Sequence, residues 1–129
     1  MSEAQRSLAV RFATALNTRD EQTLRELCSP DVSWTIPGTS EVSGRNEGVA
    51  GLVAVEAALA PHQITPRLEA LLHGPDSIVA LVHDNGDARG RRLDIRVALS
   101  IQLHDGRIAA LVSHMSDVQA LDDYLAPSA

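Results

Sequence analysis

Aromatic residues are nearly absent from this chain, Phe12, Trp34 and Tyr124 being the only three among 129 residues. A surface that binds nucleic-acid bases by stacking has no platform here, and core volume must come from Leu, Val, Ile and Ala. Cysteine is equally scarce. The lone Cys28 excludes an internal disulfide, and the apolar positions near it point to a buried thiol. Long hydrophobic runs are missing, and the opening MSEAQRS lacks the charged-then-apolar pattern of an export signal, so the chain reads as cytoplasmic and not membrane-bound. Positive charge is in deficit. Eleven basic against seventeen acidic residues give a formal net charge of -6, which opposes nucleic acid and anionic membranes as partners. The short cluster Arg89-Gly90-Arg91-Arg92 reads as a solvated hairpin end, not a phosphate grip.

What is present describes an ordinary globule, with 44% hydrophobic and 22% charged residues, long enough to form one domain over residues 1–129 without metal or disulfide. The stretch Asp31 to Gly48 organises it. Val32, Trp34 and Ile36 alternate with Ser33 and Thr35, so a strand there turns one apolar face inward before the Pro37-Gly38 turn. Val42-Ser43-Gly44 then forms a second brief extended piece. A helix follows from Arg45 to Leu59, with Val49, Leu52 and Val53 inward and Pro61 ending it. Gly44, Gly48 and Gly51 match neither phosphate-loop nor dinucleotide spacing, so close helix packing is their expected use.

Upstream, Leu8, Phe12 and Leu16 recur every four residues and mark an amphipathic helix from Glu3 to Asn17. Asp20 caps a shorter helix carrying Leu24, Leu27 and Cys28, stopped by Ser29-Pro30. Downstream, Ile64–His73, Ile78–His83, Arg91–Leu103 and Arg107–Met115 read as strands of a meander. Two sites compete for its middle turn, Asn85-Gly86 and Arg89-Gly90, and the second allows longer strands. Leu93, Ile95, Val97, Leu99, Ile101 and Leu103 alternate with Asp94, Arg96, Ala98, Ser100 and Gln102, giving one dry sheet face and one polar face. Ser116-x-x-Gln119 reads as a capping box opening a last helix with Val118, Leu121 and Leu125 inward. The fold class is α+β.

The segments VSWTIPGTSEVSGRNEG, RRLDIRVALSIQLHDGRIAAL and SDVQALDDYL resemble the SnoaL-like branch of the nuclear transport factor 2 and ketosteroid isomerase superfamily. The resemblance covers nearly the whole chain. It implies a cone, in which a curved, mostly antiparallel sheet wraps around three N-terminal helices and a short C-terminal helix follows. It also implies a pocket between sheet and helices, and often a homodimer through the outer sheet face; the lightly charged Ala98, Ser100 and Gln102 suit such an interface. Because this fold hosts isomerases, cyclases, hydrolases, dehydratases and binding modules, function has to be read from the site.

The positions matching the superfamily's acid and base groups hold Ile36, Leu99 and Ser113 here, and the helix-one Tyr falls near Phe12. Steroid isomerisation and aldol cyclisation by the usual residues lose their parts. Ala80 and Val82 likewise replace the Arg-x-Asp pair of the epoxide hydrolases. The remaining candidate catalytic residues are His83, Asp84, Ser113 and His114, with His83-Asp84 and His114 able to meet at a cavity mouth. The resemblance gives a ligand pocket of Phe12, Leu16, Trp34, Ile36, Val82, Val97, Leu99, Leu111, Ser113 and Met115. Its membership depends on register. A type I turn with a glycine bulge at Asp105-Gly106 sets Leu99 across from Leu111 and turns odd positions inward; a plain two-residue turn reverses parity, and the bulged form is expected. His62, His73 and His104 have no metal-ligand spacing, so neither a metal nor a cofactor is expected. Asp94 and Arg96 read as structural or interfacial.

Two functions follow. One is a small-molecule enzyme of isomerase, cyclase or hydrolase type, acting on an apolar or polyketide-like substrate through shape and one or two polar groups. The other is a non-catalytic, dimeric ligand-binding or interaction module.

Overall fold

The computed structural model describes residues 3–127. Helix α1 (Glu3–Asn17) buries Ala9, Phe12, Ala15 and Leu16 along one stripe, as its period requires. Arg19, in the left-handed region at φ 54°, turns the chain. Asp20 then caps α2 (Glu21–Leu27), its carboxylate accepting from the Thr23 amide at 3.2 Å and hydroxyl at 2.7 Å. Helix α2 ends at Leu27, and Cys28 is already extended. Ser29-Pro30 therefore lies within strand β1 (Cys28–Ile36), where an irregular register between Cys28 and Ser33 accommodates a proline that has no N–H to donate.

The organising stretch differs from expectation in its second half. Val42 and Ser43 form a turn, and the extended piece is β2 (Gly44–Glu47), so helix α3 (Gly48–Leu59) begins three residues later than predicted. Pairing decides this: β2 satisfies the backbone of β1 from Ser33 to Ile36, and Asn46 Nδ2 adds bonds to the Trp34 and Val42 carbonyls at 3.2 and 3.0 Å. The helix buries Val49, Leu52 and Val55, while Val53, expected inward, stays half-exposed. Pro61 sits inside a 3-10 turn, Ala60–His62, that prolongs α3 instead of cutting it.

Strands β3 (Ile64–His73), β4 (Ser77–Ala88), β5 (Arg91–His104) and β6 (Arg107–Met115) complete a six-stranded sheet in the order β2-β1-β6-β5-β4-β3. Every pairing is antiparallel except β1 with β6. Arg89-Gly90 makes the middle turn, with φ of 57° and 72°. Asp105-Gly106, at 51° and 76°, is a plain two-residue turn, not the expected bulged one. The bulge comes just after it: Leu103 pairs with Ile108 and Gln102 with Ala110, leaving Ala109 unpaired. That extra residue restores parity. Leu111, Ser113 and Met115 face inward as expected, although Leu99 lies across from Ser113, and Leu111 from Ile101.

The inward faces of β1, β4, β5 and β6 enclose one core with α1, α2 and α3, in which Leu24, Val32, Leu52, Ile108 and Leu111 are fully buried. The last helix, α4 (Val118–Leu125), is capped by Asp117, which accepts from the Ala120 amide at 2.9 Å. The predicted capping box does not form. Ser116 Oγ instead accepts from the Arg96 amide and Gln119 donates to Asp123, while α4 buries Leu121, Tyr124 and Leu125 and leaves Val118 half-exposed. Among the described residues no helix is long and apolar enough to cross a membrane.

Candidate functional site

Strand β4 alternates, and the alternation separates two residues expected to act together. Val82 and Asp84 pair with Val97 and Ile95 on the inner side, whereas His83 between them faces outward. His83 Nε2 bonds Asp94, with Arg67 Nη2 3.5 Å from its other ring nitrogen. That hydrogen bond holds the exposed Asp94 below the ordinary carboxylate range. His114 stands opposite Ala98 on the same outer face and is exposed. Asp84 therefore does not join His83 and His114 at one cavity mouth, because strand alternation puts it on the opposite face.

Ser113 does reach the inner side, where its hydroxyl accepts from Trp34 Nε1 at 2.9 Å, both residues being buried. The indole's only donor is thus satisfied inside the core. Of the residues expected to line a pocket, Phe12, Leu16, Trp34, Ile36, Val97, Leu111 and Ser113 are buried, and Val82, Leu99 and Met115 remain half-exposed. The open part of the inner surface is therefore displaced toward β3 and β4. Leu68, across from Val82 on the inner side, is 53% exposed there.

Two carboxylates belong to the inner side, near enough for the charge of one to act on the other. Asp84 comes from β4, flanked by Pro66 and Ile95, and Glu56 comes from α3, following the buried Val55 and one turn beyond Leu52. Neither accepts a hydrogen bond from any described residue. Burial pushes Glu56 up to about 7; the Asp84 charge adds to the rise and Arg19 partly offsets it. Burial likewise pushes Asp84 up to about 6, against the pull of His83. Both carboxyls are thereby held toward their protonated form near neutral pH, as proton exchange at one site requires.

Tyr124 from α4 reaches β4 two residues beyond Asp84. Its hydroxyl donates to the His62 carbonyl and rests against Gly86. His62 is buried, with Nε2 3.1 Å from Glu41 Oε1. Two grooves mark the surface, and neither is lined by Asp84 or Glu56. One, of about 320 Å³, is lined from both sides of the sheet, by Val82, Val97 and Met115 of the inner face and Leu81, Ala98 and His114 of the outer; the other, of about 530 Å³, runs between α1, α2 and the turns at Pro75-Asp76 and Asp105-Gly106. Among the described residues, no three His, Cys, Asp or Glu side chains converge as metal ligands would.

Helices packed on the inner face of a curved, mostly antiparallel six-stranded sheet form the architecture of nuclear transport factor 2-like proteins. A family model for the SnoaL-like domain matches residues 9–111, and the chain belongs to that family. Uncharacterised proteins of Mycobacterium bovis and Mycobacterium tuberculosis are 29% identical over 128 residues, covering 96% of this chain and 98% of theirs. The structure of Bal32a, from a soil-derived mobile gene cassette, superposes with a TM-score of 0.85 at 23% identity, covering 96% of this chain and 98% of that one. TerC, co-crystallised with polyporic acid, superposes at 0.79 with 16% identity, covering 95% and 98%.

Glu56 is the residue that sequence reasoning missed. It falls seven residues after Val49 and four after Leu52, on the stripe already assigned to the core. A charged residue on an inward helical stripe was the available signal.

Proposed function

We propose that this chain binds a small, largely apolar molecule at the opening of the cone and moves a proton on it with Glu56 and Asp84. The observation that carries this reading is the pair itself: two inward carboxylates from different elements, without hydrogen-bond partners among the described residues, on the side of the sheet where Leu68 is exposed. In the chemistry this allows, ionised Asp84 takes a proton from carbon or from a water, and protonated Glu56 gives one to the oxygen that gains charge. Isomerisation, cyclisation and epoxide opening all need that exchange, and the half-exposed Val82, Leu99 and Met115 supply apolar walls. TerC, a protein of the same fold, was co-crystallised with polyporic acid, which supports an aromatic ligand. A cytoplasmic setting suits the buried, unpaired Cys28.

The packed inner core favours the second reading, a module that holds a ligand without transforming it. Pairing of two copies through the outer face fits either. That face carries half-buried Val79, Leu81, Ala98, Ser100, Ala110 and Val112 at its centre and charges of both signs, Arg67, Glu69, Asp94 and Arg96, toward one end.

A thermal-shift screen of hydroxylated anthraquinones, steroid enones and terpene epoxides tests the reading. One class should raise the melting midpoint of the wild type and do so less in D84N and E56Q, because a ligand that binds only the folded state must stabilise it. A hit whose effect is the same in both variants would place the site elsewhere, and a ligand recovered unchanged would favour the module.

A further inference from the structure

Gly86 is an unusual residue for the interior of a strand, where glycine packs nothing and loses the most backbone freedom. Its neighbour explains it. A Cβ at Gly86 would lie 2.5 Å from Tyr124 Oη, so the missing side chain makes room for the phenol. The same hydroxyl donates to the His62 carbonyl, and the two rings sit 6.2 Å apart at 53°. Tyr124 thus touches two elements at once: β4, two residues beyond Asp84 on the same face, and the turn that closes α3, six residues beyond Glu56.

The phenol is itself firmly held. Arg91 donates to the carbonyls of Asp123 and Tyr124 at 3.1 and 3.3 Å and to that of Ala126. At the other flank, Asp122 accepts from the Thr39 amide at 3.0 Å and hydroxyl at 3.1 Å. On the α3 side, His62 is anchored through Glu41. A rigid spacer with both ends fixed sets the separation of what it touches.

We infer that Tyr124 is a positioning residue, whose hydroxyl, seated between Gly86 and the His62 carbonyl, fixes the spacing of Glu56 and Asp84. This rests on the reading that those carboxylates form the working pair. Two carboxylates in a recess respond to small changes of separation and solvent access, since both desolvation and mutual repulsion vary steeply with distance. The charged and titratable groups that bear on the assembly are Arg19 on Glu56, His83 on Asp84, Asp87 and Arg89 on Tyr124, and Glu41 on His62.

The test is a carbon-detected NMR titration of the Glu56 and Asp84 carboxyls in the wild type, Y124F, G86A and T39A. Y124F removes only the hydroxyl, G86A pushes the ring away, and T39A loosens α4 at its other flank. Y124F should move at least one midpoint by about half a pH unit or more, a change well within the range over which local environment acts. G86A should move it further, and T39A, which removes one of the two bonds from Thr39 to Asp122 and leaves the Tyr124 hydroxyl seated, should move it less than Y124F. Elevated wild-type midpoints that stay unchanged in Y124F and G86A would overturn the inference alone, as would T39A shifting them as much as Y124F. Ordinary carboxyl midpoints in the wild type would overturn the reading of the pair, and the inference with it. Should G86A fail to fold, Y124F against T39A still decides.

Discussion

Trp34 and Ser113 join the two strands that meet in parallel, the indole of β1 donating to the hydroxyl of β6 at 2.9 Å inside the core. A serine at a position that resembles a catalytic one is here the acceptor for a buried donor. S113A should cost about 1–3 kcal/mol, because the indole N–H then has no partner, and should leave ligand binding at the opening intact. Chemical denaturation with a parallel thermal-shift assay checks both halves of that expectation.

The carboxylate pair makes stability depend on pH in the direction opposite to ordinary acid unfolding. Glu56 rises from 4.5 to about 7 and Asp84 from 3.8 to about 6, so the folded state holds more protons than the unfolded chain between those limits. Stability contributed by these groups is present at low pH and is lost as pH rises through 6 to 7. At pH 8, E56Q and D84N should each stabilise the protein, by on the order of 1–3 kcal/mol, and near pH 4 they should change it little. Denaturation midpoints at the two pH values measure this. A variant that gains stability while losing the ligand effect would show that the pair is kept for function at a cost in folding.

The outer face supplies an independent expectation. Sizing with light scattering should give twice the chain mass of 13.8 kDa, and A98R should give the monomer, because a long cation would be driven into the apolar centre of the interface. A wild-type monomer at all accessible concentrations would remove the dimer. A dimer insensitive to A98R would move it to another surface.

Most of the fold was legible because its period-two and period-four patterns are long. The β5 alternation from Leu93 to Leu103, the Arg89-Gly90 turn and the α1 stripe all form where the residues place them. What was not legible depended on partners distant in sequence. Asn46 and its neighbours are polar enough to open a helix, yet β1 needs an edge strand and recruits them. Ser116 fits a capping box, yet the Arg96 amide takes its hydroxyl and Asp117 caps in its place.

The site was legible in part. Asp84 was found, but its assumed partners His83 and His114 lie on the outer face, a consequence of strand alternation that the sequence already contained. Glu56 was legible and passed over: the expected inward residues Val49, Leu52 and Val53 precede it by seven, four and three residues, which puts it on their face. The bulge at Ala109 lay beyond any turn signal, since an alanine in a strand carries no mark of being unpaired.

Titration of the Glu56 side-chain carboxyl by carbon-detected NMR, in the wild type and in D84N, tests the pairing most directly. A midpoint near 7 that falls when Asp84 loses its charge is the expected result. A Glu56 midpoint near 4.5 in both proteins would contradict it, because the two acids would then be separate, solvated groups.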